Sequence, residues 1–148
     1  MKKVGGAPEG VVRAYLALII GFSGFPVRPP MLIHVYQYPK CSTCRKALSW
    51  LDGHGIKYQA RDLVAEPIPL GTLTELHRRS KLPIARFFNT SGESYRAGHF
   101  KERLRTMTES EALSELAKDG KLVKRPIVDA GKFVLVGFDV EAFSDQFA

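Results

Sequence analysis

The chain has 148 residues, 45% of them hydrophobic and 25% charged, which is ordinary for one globular domain. Its formal net charge of +7 contains no long block of lysine and arginine, so direct binding to nucleic acid is not expected. Two cysteines are too few for the disulfide framework of a secreted protein, and without paired histidines they do not form a zinc site.

The first thirty residues differ from the rest of the chain. An apolar run over 14–22 is too short for a membrane span, which takes about twenty residues. Three prolines then break regular structure ahead of Met31, which directly precedes a predicted strand. We predict a domain over 31–148, with Met31 as the natural start and 1–30 as a translated upstream extension outside the fold. An export signal over the same residues is the alternative.

The first predicted elements form a β-α-β unit. A strand is expected over 32–36, a helix over 42–54 that ends at two glycines, and a second strand over 57–62. A helix between two neighbouring strands of one sheet makes those strands parallel.

A helical insertion is predicted next. It contains a helix over 72–79 with Thr72 as its candidate cap, a short apolar stretch over 82–88 and a turn over 89–92. A capping box formed by Thr108 and Glu111 then predicts a helix over 108–118, which Gly120 ends.

The chain closes with a β-β-α pattern. Strands are expected over 126–129 and 132–136, joined by a hairpin turn at 129–131, and a helix over 141–147 follows. The order β-α-β, helical insertion, β-β-α is typical of a thioredoxin-like (glutaredoxin-like) α/β fold. It predicts a mixed four-stranded sheet with helices on both faces.

Cys41 and Cys44 open the first predicted helix, directly after a strand. The aligned N–H groups of a first helical turn stabilise a thiolate, so this position predicts a lowered pKa for Cys41. Cys44 is placed to attack a mixed disulfide formed at Cys41. Arg45 and Lys46 either lower the pKa of Cys41 further or form a solvated face of the helix. Inert packing of both cysteines is the alternative to a redox pair.

Four stretches carry a resemblance to a known family: the loop 38–47, a middle segment 88–96, the segment 122–128 with Arg125-Pro126, and a strand end at 136–138. In this order they resemble the arsenate reductase–Spx family (ArsC/Spx/MgsR) of thioredoxin-fold proteins. The resemblance runs from about Met31 to the C-terminus.

The resemblance implies that Cys41 is the nucleophile and that Cys44 resolves its adduct through an internal disulfide. It places the family's arginine at Arg125, beside an oxyanion or thiolate, and a cis-proline facing the redox loop at Pro126. No bound cofactor and no metal are expected. The residues expected to stabilise substrate or thiolate are Lys40, Ser42, Thr43, Arg45 and Pro126.

Departures from the family pattern concern anion binding. Further arginines of members that act strongly on arsenate align with Leu73 and Phe138, neither of which is basic. One guanidinium at Arg125 holds a dianion less well than three do, so the pattern does not favour efficient arsenate reduction. Gln37 and Tyr38 also replace the usual polar residues ahead of the loop.

Two functions follow from the resemblance. The favoured one is a cytoplasmic thiol–disulfide oxidoreductase that acts on a disulfide or on a small oxyanion such as arsenate. Glutathione with glutaredoxin, or thioredoxin, would then be its external reductant. The alternative is a redox-sensing regulator like Spx, which acts by binding the alpha subunit of RNA polymerase and needs no DNA affinity of its own. A binding domain with a vestigial cysteine pair is a third possibility.

Overall fold

The computed structural model describes residues 32–148, and the predicted extension over 1–30 lies outside them. Four strands form a mixed sheet in the spatial order β2-β1-β3-β4. β1 pairs with β2 in parallel and with β3 in antiparallel, and β3 pairs with β4 in antiparallel. This confirms the predicted sheet. The strands are β1 (His34–Gln37), β2 (Gln59–Asp62), β3 (Ile127–Asp129) and β4 (Val134–Val136).

Six α-helices and two 3-10 turns accompany the sheet within these residues. The 3-10 turns are Ile84–Phe87 and Gly120–Leu122. The helices are α1 (Ser42–Gly53), α2 (Leu70–Ser80), α3 (Glu93–Ala97), α4 (Phe100–Arg103), α5 (Glu109–Lys118) and α6 (Val140–Phe147).

The sheet separates two hydrophobic cores because successive strand side chains point to opposite faces. Val35 of β1 packs with α1 and α6 in what we call the α1–α6 core, whereas its neighbour Tyr36 packs against the insertion core beneath α2 and α5. Val128 and Ile127 of β3 divide in the same way. Helices therefore cover both faces of the sheet, as predicted.

The start of α2 corrects the prediction that Thr72 caps this helix. Pro69 is the cap residue, and its carbonyl accepts the N–H of Leu73 over 2.9 Å, so Thr72 lies inside the first turn. Proline is tolerated at a helix start because its missing N–H is not needed there. The sequence pattern placed the start two residues late.

Two short helices in the insertion, α3 and α4, were not predicted. They contain five and four residues, which is too short for a hydrophobic period to show. His99, with φ 53°, separates them in a left-handed backbone conformation that is uncommon outside glycine.

The predicted signals at α5 and at the final hairpin are confirmed. The Thr108 hydroxyl accepts the N–H of Glu111, and the Glu111 carboxylate accepts the N–H of Thr108, which completes the capping box. In the hairpin, the carboxylate of Asp129 accepts the N–H of Gly131, whose φ is 76°. β4 begins at Val134, later than predicted, because the turn extends to Phe133.

Candidate active site

A four-residue turn joins the end of β1 to the start of α1. The N–H of Cys41 donates to the carbonyl of Tyr38 over 2.9 Å, and Pro39 occupies the second position of the turn. Proline suits that position because its ring fixes the φ angle that the turn needs. Cys41 is thereby held in an extended conformation, φ −89° and ψ 122°, directly before α1.

The two cysteines occupy different surroundings. Cys41 is half-buried, whereas Cys44, in the first turn of α1, is completely buried. The sulfur of Cys44 accepts a hydrogen bond from the N–H of Tyr38, with N···Sγ 3.5 Å. Burial raises the pKa of Cys44 to about 12, and its contacts with Cys41 add to the rise. Cys44 is therefore a protonated thiol at neutral pH.

The pKa of Cys41 moves in the opposite direction. Burial alone raises it, but hydrogen bonds from the N–H of Cys44 and from the guanidinium of Arg125 outweigh burial and hold the pKa below its usual value. The N–H of Thr43 acts in the same sense. Two of these donors belong to the first turn of α1, which agrees with the prediction made from the helix start.

Arg125 reaches this sulfur from the other half of the fold. It precedes β3, and its peptide bond to Pro126 is cis, as the resemblance implied. Nη1 of Arg125 donates to the carbonyl of Lys121 over 3.3 Å, and the guanidinium carbon lies 5.0 Å from the ring centroid of Tyr38. Its Nε is buried and meets no acceptor among residues 32–148. Nε of Arg125 is thus a hydrogen-bond donor without a partner in the described part of the chain.

The other residues predicted for the site lie along the same loop or next to it. They are exposed Lys40, Ser42 and Arg45, half-buried Thr43 and buried Pro126. Lys46 is also exposed, and neither Arg45 nor Lys46 is among the groups that shift the pKa of Cys41. This favours the interpretation that Arg45 and Lys46 form a solvated face of α1.

An open cleft of about 460 Å³ adjoins Arg125. Such a volume lies within the range of small-molecule sites. Tyr38 and Arg125 form one part of its lining, and the rest comes from the helical insertion and from the turn after α5. None of these further lining residues was predicted for the site from the sequence; they are Asn89, Gly92, Glu93, Ser94, Ala97 and Lys121. The stretch 88–96 pointed to the segment as a whole, whereas nothing in the sequence indicated Lys121.

The two positions aligned with further family arginines lie in packed surroundings. Leu73 is completely buried in the insertion core, and Phe138 packs against the α1–α6 core, where its ring meets that of Phe143 edge-on. Neither position supplies a cation to the site, so Arg125 provides the guanidinium that acts on Cys41.

In the part of the chain that the structure describes, no three side chains of His, Cys, Asp or Glu come together as a metal site would require. None of the helices in residues 32–148 combines the length and the apolar character needed to cross a lipid bilayer.

Comparison with known proteins gives consistent matches over the described domain. A family model described as the ArsC family matches residues 36–145. The uncharacterised protein YusI of Bacillus subtilis is 42% identical over 118 residues, which cover 80% of this chain and all of YusI. The crystal structure of "a possible arsenate reductase" from Streptococcus mutans is 36% identical with a TM-score of 0.73, covering 80% of this chain and 99% of that one. The global transcriptional regulator Spx of Listeria innocua is 28% identical over 112 residues, covering 73% of this chain and 81% of Spx.

Proposed function

Because this chain belongs to the ArsC family, we propose that it is a cytoplasmic thiol–disulfide oxidoreductase in which Cys41 attacks and Cys44 resolves. The observation that supports this assignment is the opposite shift of the two thiols. The pKa of Cys41 is lowered beside Arg125, and the pKa of Cys44 is raised by burial. Only the thiolate is nucleophilic, so the first attack belongs to Cys41.

In the first step, the Cys41 thiolate attacks one sulfur of a substrate disulfide. A Cys41–substrate disulfide forms, the substrate's sulfur–sulfur bond breaks, and the second substrate sulfur leaves as a thiolate. Arg125 stabilises the negative charge on Cys41 before the attack.

In the second step, Cys44 attacks the sulfur of Cys41. The thiol of Cys44 first loses its proton to solvent. The mixed disulfide then breaks, the substrate leaves as a thiolate, and a Cys41–Cys44 disulfide remains. The charge of Cys41, which raises the pKa of Cys44, is absent from the mixed disulfide. Forming the mixed disulfide therefore makes Cys44 easier to ionise. The attack by Cys44 is thus favoured only after the attack by Cys41.

An external dithiol, or two thiols such as glutathione, returns two electrons to the disulfide and restores both cysteines. Glutathione with glutaredoxin, and thioredoxin, are the reductants to compare. A small oxyanion such as arsenate is the other substrate class that the family relationship suggests. With Arg125 as the guanidinium acting on Cys41, we expect a disulfide to be reduced more efficiently than arsenate.

Steady-state assays with bis(2-hydroxyethyl) disulfide and with arsenate, each run with both reductant systems, test this function. Cys41→Ser should lower turnover at least about 100-fold, since removing a nucleophile removes covalent catalysis. Cys44→Ser should instead accumulate a mixed disulfide on Cys41, visible as added mass. Ser49→Ala, an exposed change on the same helix, is the control and should match the wild type. Wild-type turnover no faster than that of Cys41→Ser would rule out the enzyme.

A redox-dependent regulator is the second candidate, and the relationship to Spx favours it. Here the same Cys41–Cys44 disulfide would change binding to a partner instead of completing a catalytic cycle. A pull-down with the C-terminal domain of the RNA polymerase alpha subunit, under reducing and oxidising conditions, tests this function. Equal recovery in both states, or none in either, would dismiss it.

A further inference from the structure

Tyr38 contacts three groups of the proposed site. Its carbonyl accepts the N–H of Cys41 over 2.9 Å, and its own N–H donates to the sulfur of Cys44 over 3.5 Å. Its ring lies 5.0 Å from the guanidinium carbon of Arg125. The backbone of Tyr38 thus contacts both cysteines, and its ring contacts Arg125, the cation that acts on Cys41.

Apart from the sulfur of Cys41, few groups orient the guanidinium of Arg125, so a contact with the ring of Tyr38 matters for its position. Its hydrogen bond to the carbonyl of Lys121 is long, at 3.3 Å, and its Nε finds no acceptor within the described chain. Among residues 32–148, no carboxylate lies within ion-pair distance of Arg125. An aromatic face attracts a guanidinium through the negative charge of its π-system.

We propose that Tyr38 is the positioning residue of this site: its ring holds the guanidinium of Arg125 against the sulfur of Cys41. This inference rests on the proposed role of Cys41 as the nucleophile.

The contact with Arg125 needs the ring of Tyr38 and not its hydroxyl, so two substitutions at this position form a matched pair. Tyr38→Phe keeps the ring and both backbone contacts. Tyr38→Leu keeps the backbone contacts and removes the ring. Loss of a cation–π contact at a partly exposed site should lower the reactive thiolate population roughly two- to fivefold at neutral pH.

The experiment measures the rate at which iodoacetamide alkylates Cys41 as a function of pH, with mass spectrometry to identify the modified sulfur. We expect Tyr38→Phe to match the wild type and Tyr38→Leu to react roughly two- to fivefold more slowly below the thiol midpoint. The midpoint itself should move to higher pH in Tyr38→Leu. Rates equal to the wild type in Tyr38→Leu, or an equal slowing in Tyr38→Phe, would overturn the inference.

A double-mutant cycle separates positioning from a general structural effect. If Tyr38 acts through Arg125, Tyr38→Leu should cause no further slowing in an Arg125→Met background. Additive effects would overturn the inference. If urea denaturation shows that Tyr38→Leu is not folded, Tyr38→Met replaces it. Alkylation of Cys41 should slow by the same factor in Tyr38→Met. A wild-type Cys41 that titrates like a free cysteine would instead refute the proposed function, so the two failures are distinguishable.

Discussion

An arginine lies at each end of strand β3, and the two have opposite surroundings. At the far end, Arg79 of α2 donates to both carboxylate oxygens of Asp129, over 2.8 and 3.0 Å, and to the carbonyl of Gly131 over 3.1 Å. At the near end, Arg125 donates to one backbone carbonyl and acts on the sulfur of Cys41, while its buried Nε has no acceptor in residues 32–148. The guanidinium of Arg79 is therefore fully engaged by acceptors of the protein, whereas that of Arg125 keeps a donor without a partner.

This difference distinguishes a structural arginine from a functional one. A buried donor without a partner costs stability, so folds seldom keep one without a further use. Arg79 fixes α2 to the sheet through a bidentate ion pair. Arg125 instead directs its charge at Cys41 and at an open cleft. Substitutions at the two ends should therefore separate stability from reactivity.

Substitution of Gly120 should have the strongest effect on the protein. This glycine lies in the turn that carries Lys121, whose carbonyl accepts from Arg125. A Cβ at position 120 would clash with the backbone carbonyl oxygen of Leu63, so the backbone must move. Gly120→Ala should lower the free energy of unfolding by about 3 kcal/mol and slow alkylation of Cys41. Urea denaturation checks the first effect. Gly71→Ala is the control, because its added Cβ meets no atom within 4 Å in residues 32–148 outside its own stretch of helix; an equal loss there would contradict the explanation.

At the Arg79 end of β3, the expected effect is on stability. The side chains of Arg79 and Asp129 are only 24% and 18% exposed, so Arg79→Met leaves a poorly solvated carboxylate. We expect the free energy of unfolding to fall by about 2 kcal/mol, with alkylation of Cys41 unchanged. Arg78→Met, which removes an exposed pair with Glu75, is the matched control and should cause no measurable loss. Slower alkylation of Cys41 in Arg79→Met would contradict the assignment of a purely structural role to Arg79.

At the Arg125 end, the expected effect is on reactivity. Arg125→Met removes a charged hydrogen-bond donor to Cys41, so alkylation at neutral pH should slow roughly tenfold. Stability should stay the same or rise, because the unpaired Nε is removed as well. Arg86→Met, at an exposed arginine of the insertion, is the control. Iodoacetamide kinetics measure this effect. An unchanged alkylation rate in Arg125→Met would contradict the claim that Arg125 activates Cys41.

The smallest effect is a dependence of stability on pH. The hydrogen bonds from Arg79 hold the pKa of Asp129 below its usual value, although burial opposes them. A lowered carboxyl pKa stabilises the fold above the pKa of the unfolded chain, about 3.9, and that stability is lost as the pH falls through the folded value. Asp129→Asn should therefore lose less stability than the wild type between pH 5 and pH 2. Identical losses in both proteins, measured by urea denaturation, would contradict this assignment.

Much of the fold could be predicted because its signals are local. The Thr108 capping box, the hairpin turn at Asp129 and the cysteine pair at a helix start each lie within a few residues of chain. The predicted start of α2 was too late because Thr72 offers a capping side chain. In the structure Pro69 is the cap residue, and the helix begins at Leu70. The helices α3 and α4 were missed because neither is longer than about one turn.

The order of the strands and of the longer helices, the mixed four-stranded sheet and the pair of site cysteines could all be read from the sequence. The sequence also predicted the lowered pKa of Cys41 from its place at a helix start. The tertiary structure added the burial of Cys44 and the action of Arg125 on Cys41, although these two residues lie about eighty positions apart along the chain. It also decided that the insertion and Lys121 line one cleft with Tyr38 and Arg125. Helical periods, turns and caps act between near neighbours, whereas burial and the meeting of distant charges exist only once the chain has folded.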